Sequence, residues 1–131
     1  MTGSMIPVND WSKMQKAFGK DGVPLPFVKE IFLMECLVAG TSHIGGIEEK
    51  TSEIASGALL GFLREPDNPH DSLAIQILNQ HNLRIGYVPR QQNEVIARLM
   101  DAGKLLFGKV ESKKQEGTWI KIGIKVFMRD F

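Results

Sequence analysis

The densest run of groups able to do chemistry lies at residues 64–75, Arg-Glu-Pro-Asp-Asn-Pro-His-Asp-Ser-Leu-Ala-Ile. Pro66 and Pro69 bracket Asp67 and Asn68, and His70 and Asp71 follow at once. Proline fixes φ, and Asp and Asn bond their own backbone, so residues 65–69 should form a rigid turn. Turn formation alone does not require so many polar groups beside an apolar stretch. A rigid polar loop on a β scaffold is a common seat for binding residues. Carboxylates accept from hydroxyls, while phosphates call for cations and N–H donors. Two catalytic readings compete. Glu65, Asp67, His70 and Asp71 could together ligate a divalent metal, but the prolines point to a preset hydrogen-bonding turn, and no His-x-x-x-His or cysteine pair accompanies them. His43 with Asp71 could serve acid–base chemistry, yet no nucleophile stands in a recognisable context. Gly45-Gly46 is a turn signal and not a phosphate loop. The residues therefore argue for binding rather than catalysis and call for no cofactor and no metal; a small metal-dependent hydrolase is the remaining catalytic alternative.

These groups need elements to hold them. Residues 73–78 alternate, with Leu73, Ile75 and Ile77 on one face, and residues 83–88 form the return strand of a hairpin across the turn at 79–82. Pro89 ends that strand. Residues 91–102 carry the best helical pattern, with Val95, Ile96, Leu99 and Met100 as one stripe and Gly103 as the stop. Residues 58–63 and 105–110 fit strands, and 111–117 reads as a charged hairpin loop. Residues 119–128 alternate through Ile120, Ile122, Ile124, Val126 and Met128. Residues 27–38 are strongly apolar and too imperfect in period to choose between strand and helix. Residues 47–56 could form a short helix. Ile75, Ile77, Ile85, Leu99, Ile122 and Ile124 should meet in one core.

About six strands with a helix inserted between them imply a mainly β fold: a small OB-like or SH3-like six-stranded barrel with one or two inserted helices. Upstream, Asp10 can cap a helix with Trp11, Met14 and Phe18 on one face, and breakers crowd residues 20–26. Residues 1–26 thus read as an N-terminal helical arm and linker, and 27–131 as the barrel domain. On the last strand Trp119, Lys121, Lys125, Phe127 and Arg129 share the face opposite the Ile row. That face suits single-stranded nucleic acid, or it is simply solvated, with Trp119 and Phe127 packing under the arm.

Charge is uneven along the chain. Residues 1–83 hold six Lys/Arg against ten Asp/Glu, a balance of −4; residues 84–131 hold ten against five, a balance of +5. A basic half can bind phosphate. The single cysteine, Cys36, excludes an intrachain disulfide framework and sits in an apolar run as a buried structural thiol. The N-terminus lacks a basic start followed by a long apolar stretch, and nothing approaches a membrane span, so a soluble cytoplasmic protein is expected.

The run at 64–75 resembles the signature of the HIRAN domain, whose members carry Arg-Glu-Pro-x-Asn-Pro-x-Asp-x-x-Ala-Ile. Residues 84–90, Arg-Ile-Gly-Tyr-Val-Pro-Arg, look like that family's Gly-Tyr-x-Pro-Arg element, with a helix after it, and residues 40–46 occupy the place of its Gly-x-x-Tyr-Tyr-type segment. The resemblance covers roughly residues 30–128 and implies a β-barrel module that holds the 3′ end of single-stranded DNA, in a repair or replication context, without catalysis. It assigns Asp71 to the terminal hydroxyl. Asp67, Asn68 and His70 match loop positions near the terminal nucleotide, and Tyr87 and Arg90 match positions that stack on a base or meet a phosphate. The departure is at Ser42, His43 and Ile44, where DNA-binding members have a basic residue and two aromatics. His43 can still stack, but two lost platforms at about 1–3 kcal/mol per base imply weak end binding. A protein-interaction module that keeps the fold without DNA binding is the alternative from another class, with a protein as partner.

Overall fold

Alternating β-branched residues fix the central strand. Ile120, Ile122, Ile124 and Val126 all point inward and are buried along a twelve-residue strand, Trp119–Asp130. The computed structural model describes residues 29–130. In chain order the elements are β1 (Lys29–Leu37), a 3-10 turn (Thr41–His43), α1 (Ile47–Lys50), β2 (Leu59–Arg64), β3 (Ile75–Leu78), β4 (Arg84–Tyr87), a second 3-10 turn (Arg90–Gln92), α2 (Asn93–Asp101), β5 (Leu105–Glu116) and β6 (Trp119–Asp130). The six strands form one sheet in the order β1-β6-β5-β2-β3-β4, and every pairing is antiparallel.

The sheet curls until its two edges touch. Ala39, just past β1, donates its N–H to the Tyr87 carbonyl (2.8 Å), and Tyr87 donates back to the Ala39 carbonyl (2.9 Å). That single bridge turns an open sheet into an all but closed barrel. Gly86 makes it possible: a Cβ there would lie 2.4 Å from Val38 Cγ1 and 2.5 Å from the Ala39 carbonyl oxygen. The residue is glycine because another backbone passes where a side chain would stand.

The core confirms most of the expected residues. Ile75, Ile77, Ile85, Ile122 and Ile124 are fully buried with Leu60, Phe62 and Leu106. Helix α2 corrects the expected stripe: its buried face is Asn93, Ile96, Ala97 and Met100. Leu99 is only partly buried at the margin of the core, and Val95 is 58% exposed. Positions 93, 96, 97 and 100 form one stripe by helical geometry. The apolar pattern missed it because its first member is polar. The helix also starts later than expected, after the turn at Arg90–Gln92.

Three further expectations change. The choice left open for residues 27–38 falls to a strand, Lys29–Leu37. The helix expected over 47–56 is a single turn, Ile47–Lys50. Residues 111–117 are mostly strand: β5 pairs with β6 from Leu105↔Arg129 to Glu116↔Trp119. Gly117, at φ +64°, closes a two-residue hairpin that favours left-handed backbone, so the ladder runs to its tip. Charge made that segment read as a loop because every residue from Glu111 to Glu116 is exposed. The turn at 79–82 is built by Asn79, whose Oδ1 accepts from the N–H groups of His81 and Leu83 while its Nδ2 donates to the Lys50 carbonyl. Cys36 is buried, and burial pushes its thiol up to about 11. Among the described residues no helix is long and apolar enough to cross a membrane. The arm expected over residues 1–26 and its boundary lie outside the described residues.

Candidate nucleic-acid interface

The polar loop between β2 and β3 is held from both ends by the residues that open it. Arg64 donates to the Ala74 and Ser72 carbonyls at 2.8 and 3.0 Å and pairs with Asp101 at the end of α2 at 2.9 Å. It is a staple, not a free cation. Next to it, the Glu65 carboxylate gathers donors from Asn68 Nδ2 (2.6 Å), Gln76 Nε2 and the Tyr87 hydroxyl (3.0 Å). Burial pushes the Glu65 carboxyl up, but its bonds to Gln76, Asn68 and Tyr87, with Arg84 nearby, outweigh this and hold it below the ordinary glutamate value. Asn68 shapes the turn: its Oδ1 accepts from the N–H groups of His70 (2.8 Å) and Asp71 (3.0 Å). Asp67 and His70 are exposed on the tip.

Asp71 sits where the loop meets α2. Its Oδ1 accepts from the Leu73 N–H at 2.9 Å and its Oδ2 from Asn93 Nδ2 at 2.8 Å. These two bonds, led by Leu73, keep the carboxyl below the usual aspartate range, and the positive charges of Arg90 and Arg64 add to the effect. The carboxylate is half-buried. An ionised carboxylate offers about four acceptor positions, and two are in use. Arg90 is exposed and opens the turn that leads into α2.

Tyr87 lies on the other side of Glu65. Its hydroxyl donates to the Glu65 carboxylate and accepts from Arg84 Nη1 at 3.0 Å. Arg84 also lies over the ring, 5.5 Å from its centroid. Burial, followed by Glu65, raises the phenol above its ordinary value. The Ala39–Tyr87 bridge brings residues 40–43 to the same strand end. There Thr41 is buried and donates to the Ile120 carbonyl at 3.0 Å, while Ser42 and His43 are exposed. One network thus joins Asn68, Glu65 and Tyr87, and a second joins Asp71 to α2. Asp67, His70, Arg90, Ser42 and His43 stand at solvent around them.

The sequence pattern missed the positioning residues. Asn93 lies at the start of α2 on its buried face, Gln76 stands on β3, and Arg84 covers Tyr87. The one available signal was a polar residue at the head of an otherwise apolar stripe. His81, in the turn at 79–82, is exposed and pairs with Glu53 at 2.9 Å. On the outer face of β6, Arg129 is buried, not solvated, and pairs with Glu30 at 3.3 Å. Among the described residues no three His, Cys, Asp or Glu side chains converge where a metal could be held; Glu65 and Asp71 spend their oxygens on different partners.

The profile of the HIRAN domain family matches residues 31–129, three quarters of the chain. The chain belongs to the HIRAN domain family. Curated relatives include the helicase-like transcription factor of Oryctolagus cuniculus, 27% identical over 70 residues, which is 52% of this chain and 7% of that protein. Another is a putative SWI/SNF-related matrix-associated actin-dependent regulator of chromatin subfamily A member 3-like 1 of Arabidopsis thaliana, 29% identical over 75 residues, 57% of this chain and 8% of that protein. The matched stretch thus spans less than a tenth of the length of each of these relatives. Among solved structures, a Lactobacillus plantarum protein superposes with a TM-score of 0.74 at 24% identity, covering 79% of this chain and 99% of its own. The HIRAN domain of human HLTF superposes with a TM-score of 0.60 at 16% identity, over 76% of this chain and 78% of its own. These likenesses show the HIRAN fold.

Proposed function

We propose that this HIRAN domain is a non-catalytic nucleic-acid-binding module that takes the 3′ end of a single DNA strand at Asp71, in a repair or replication setting. The carrying observation is the Asp71 carboxylate, ionised and aimed by the Leu73 N–H and Asn93 Nδ2. It has acceptor positions to spare for a terminal hydroxyl. A terminal phosphate is disfavoured, because two like charges about 4 Å apart repel by about 1 kcal/mol in water and about 4 kcal/mol near a protein surface. Arg90 then holds the adjacent phosphate, and His43 supplies what stacking remains. Tyr87 is tied by its hydroxyl and covered by Arg84, so its part is to fix Glu65 and the loop. The relatives named as a helicase-like factor and a chromatin regulator are consistent with DNA as the partner.

The test compares 3′-hydroxyl and 3′-phosphate single strands by fluorescence anisotropy at low salt. The intact protein should prefer the hydroxyl end. Asp71→Ala should abolish that preference and leave the salt slope nearly unchanged. Arg90→Ala should weaken all single strands alike and reduce the slope by about 0.7 for one lost contact. Equal affinity for the two ends in the intact protein overturns the end-binding reading and makes a protein partner the better one.

A further inference from the structure

The β5–β6 hairpin runs on past the barrel. The last backbone bonds tying β5 to another element are those of Val110 with Gly57 and Ala58, and β6 meets β1 only from Ile122 onward. Beyond these points, among the described residues, the two strands pair only with each other, up to Glu116↔Trp119. The result is a projecting two-stranded ribbon whose faces differ. Ile120 and Ile122 turn inward, and Lys113 on that face donates to the Thr51 carbonyl at 2.7 Å. The outward face carries Lys114 directly opposite Lys121, with Trp119 two places from Lys121 along β6. Like charges directly opposite repel. Among the described residues neither lysine joins an ion pair, whereas Lys109 pairs with Glu30 and Lys125 lies 4.0 Å from Glu111. Glu116 shares the face but stands opposite Trp119, at the tip. Lys121 Nζ lies 6.0 Å from the centre of the Trp119 ring, and Trp119 is 41% exposed.

Such a surface calls for an anion and a flat partner. A phosphate set between Lys114 and Lys121 relieves their repulsion, and an exposed indole is a plane on which a base stacks. A nucleic-acid strand supplies both groups at once. The ribbon also adjoins the site already described. Thr41, next to Ser42 and His43, donates to the Ile120 carbonyl at 3.0 Å, and Ile120 lies between Trp119 and Lys121. The same turn follows Ala39, which bridges to Tyr87, and Tyr87 bonds Glu65 in the polar loop. Contacts thus run without a break from the polar loop, through Tyr87 and residues 39–41, to the ribbon. We propose, resting on the end-binding reading above, that Lys114, Lys121 and Trp119 hold the phosphate backbone and one base of the same single DNA strand, upstream of the end placed at Asp71. The ribbon then supplies a stacking plane that Ser42 and Ile44 lack.

The test is anisotropy at low salt with 3′-hydroxyl strands of about 4 and about 16 nucleotides, the limits of site size for one OB-type fold. The full chain should bind the longer strand several-fold more tightly. Lys114→Gln with Lys121→Gln should remove most of that gain and lower the salt slope for the longer strand by about 1.4, for two lost contacts. Affinity for the short strand and the preference for a 3′-hydroxyl over a 3′-phosphate should both stay unchanged. Lys29→Gln with Lys104→Gln, a charge-matched exposed pair at the other end of the β5–β6 ladder, should keep the gain. In a Trp11→Phe chain, whose single tryptophan is Trp119, the longer strand should quench the emission and the short one should not. Equal affinity for the two lengths, a gain that survives loss of Lys114 and Lys121, an equal loss in the control pair, or an unquenched Trp119 would each overturn the ribbon contact. No end preference in the intact chain, with a gain that still depends on the two lysines, would instead overturn the Asp71 end and leave the ribbon as a contact for single strands.

Discussion

Asn93 on α2 and Asp71 in the β2–β3 loop, 22 residues apart, share a 2.8 Å hydrogen bond from Nδ2 to Oδ2. Asn93 is itself buried, so the bond fixes one oxygen of a carboxylate whose other oxygen is fixed by the loop's own backbone. The helix head and the loop are thereby one unit.

Removing Asn93 should loosen Asp71 without removing its charge. Asn93→Ala should reduce the preference for a 3′-hydroxyl over a 3′-phosphate end while leaving the salt slope of single-strand binding intact. The lost bond should cost about 1 kcal/mol of stability. Anisotropy titrations beside a urea melt separate the two effects. An unchanged end preference would show that Asn93 does not position the acceptor.

The helix face can be read by truncation. Ile96 is fully buried and Leu99 lies at the margin of the core. Ile96→Ala should cost about 2–5 kcal/mol, and Leu99→Ala at most the lower end of that range. Chemical denaturation of the two variants gives the order; the reverse order would mean that α2 is rotated from the face described.

Gly86→Ala should prise the closing bridge apart, because its new methyl meets both Val38 and the Ala39 carbonyl. Forcing atoms into such a contact costs about 1–3 kcal/mol. Hydrogen exchange at the Ala39 and Tyr87 amides should accelerate more than at β6 amides.

Glu65 predicts an acid-side loss of stability. Its carboxyl is held below the ordinary value in the fold, so it stabilises the native state above the unfolded glutamate pKa of about 4.3 and loses that contribution as pH falls through the lower folded value. Glu65→Gln should lower stability at neutral pH and flatten the decline below about pH 4. Denaturation midpoints at several pH values check both parts. A parallel decline in the two proteins would rule Glu65 out as its source.

Strand identity was legible in the sequence wherever alternation was strong, as in Ile120–Val126 and Ile75–Ile77. It failed at residues 111–116, where a solvated ladder has the composition of a loop. The helix was legible but not its face, because Asn93 belongs to the buried stripe through a partner in a distant loop. Arg64–Asp71 announced a rigid polar turn, and the turn is there. What the sequence could not separate was the division of labour within it. Arg64, Glu65 and Asn68 hold the loop through bonds to Asp101, Tyr87 and backbone groups that only folding brings together. Arg129 read as a surface cation because its partner Glu30 is 99 residues away and only the β1–β6 ladder brings the two together.

The Ala39–Tyr87 bridge also bears on solubility. A sheet with two open edges offers unpaired N–H and carbonyl groups to any passing strand, which is how β proteins template fibrils. Here the two edges meet at one bridge, which blocks the approach at that end, and Gln92 Nε2 additionally occupies the Glu35 carbonyl on β1 at 3.2 Å. By this account Gly86 guards against fibrillation as well as closing a barrel.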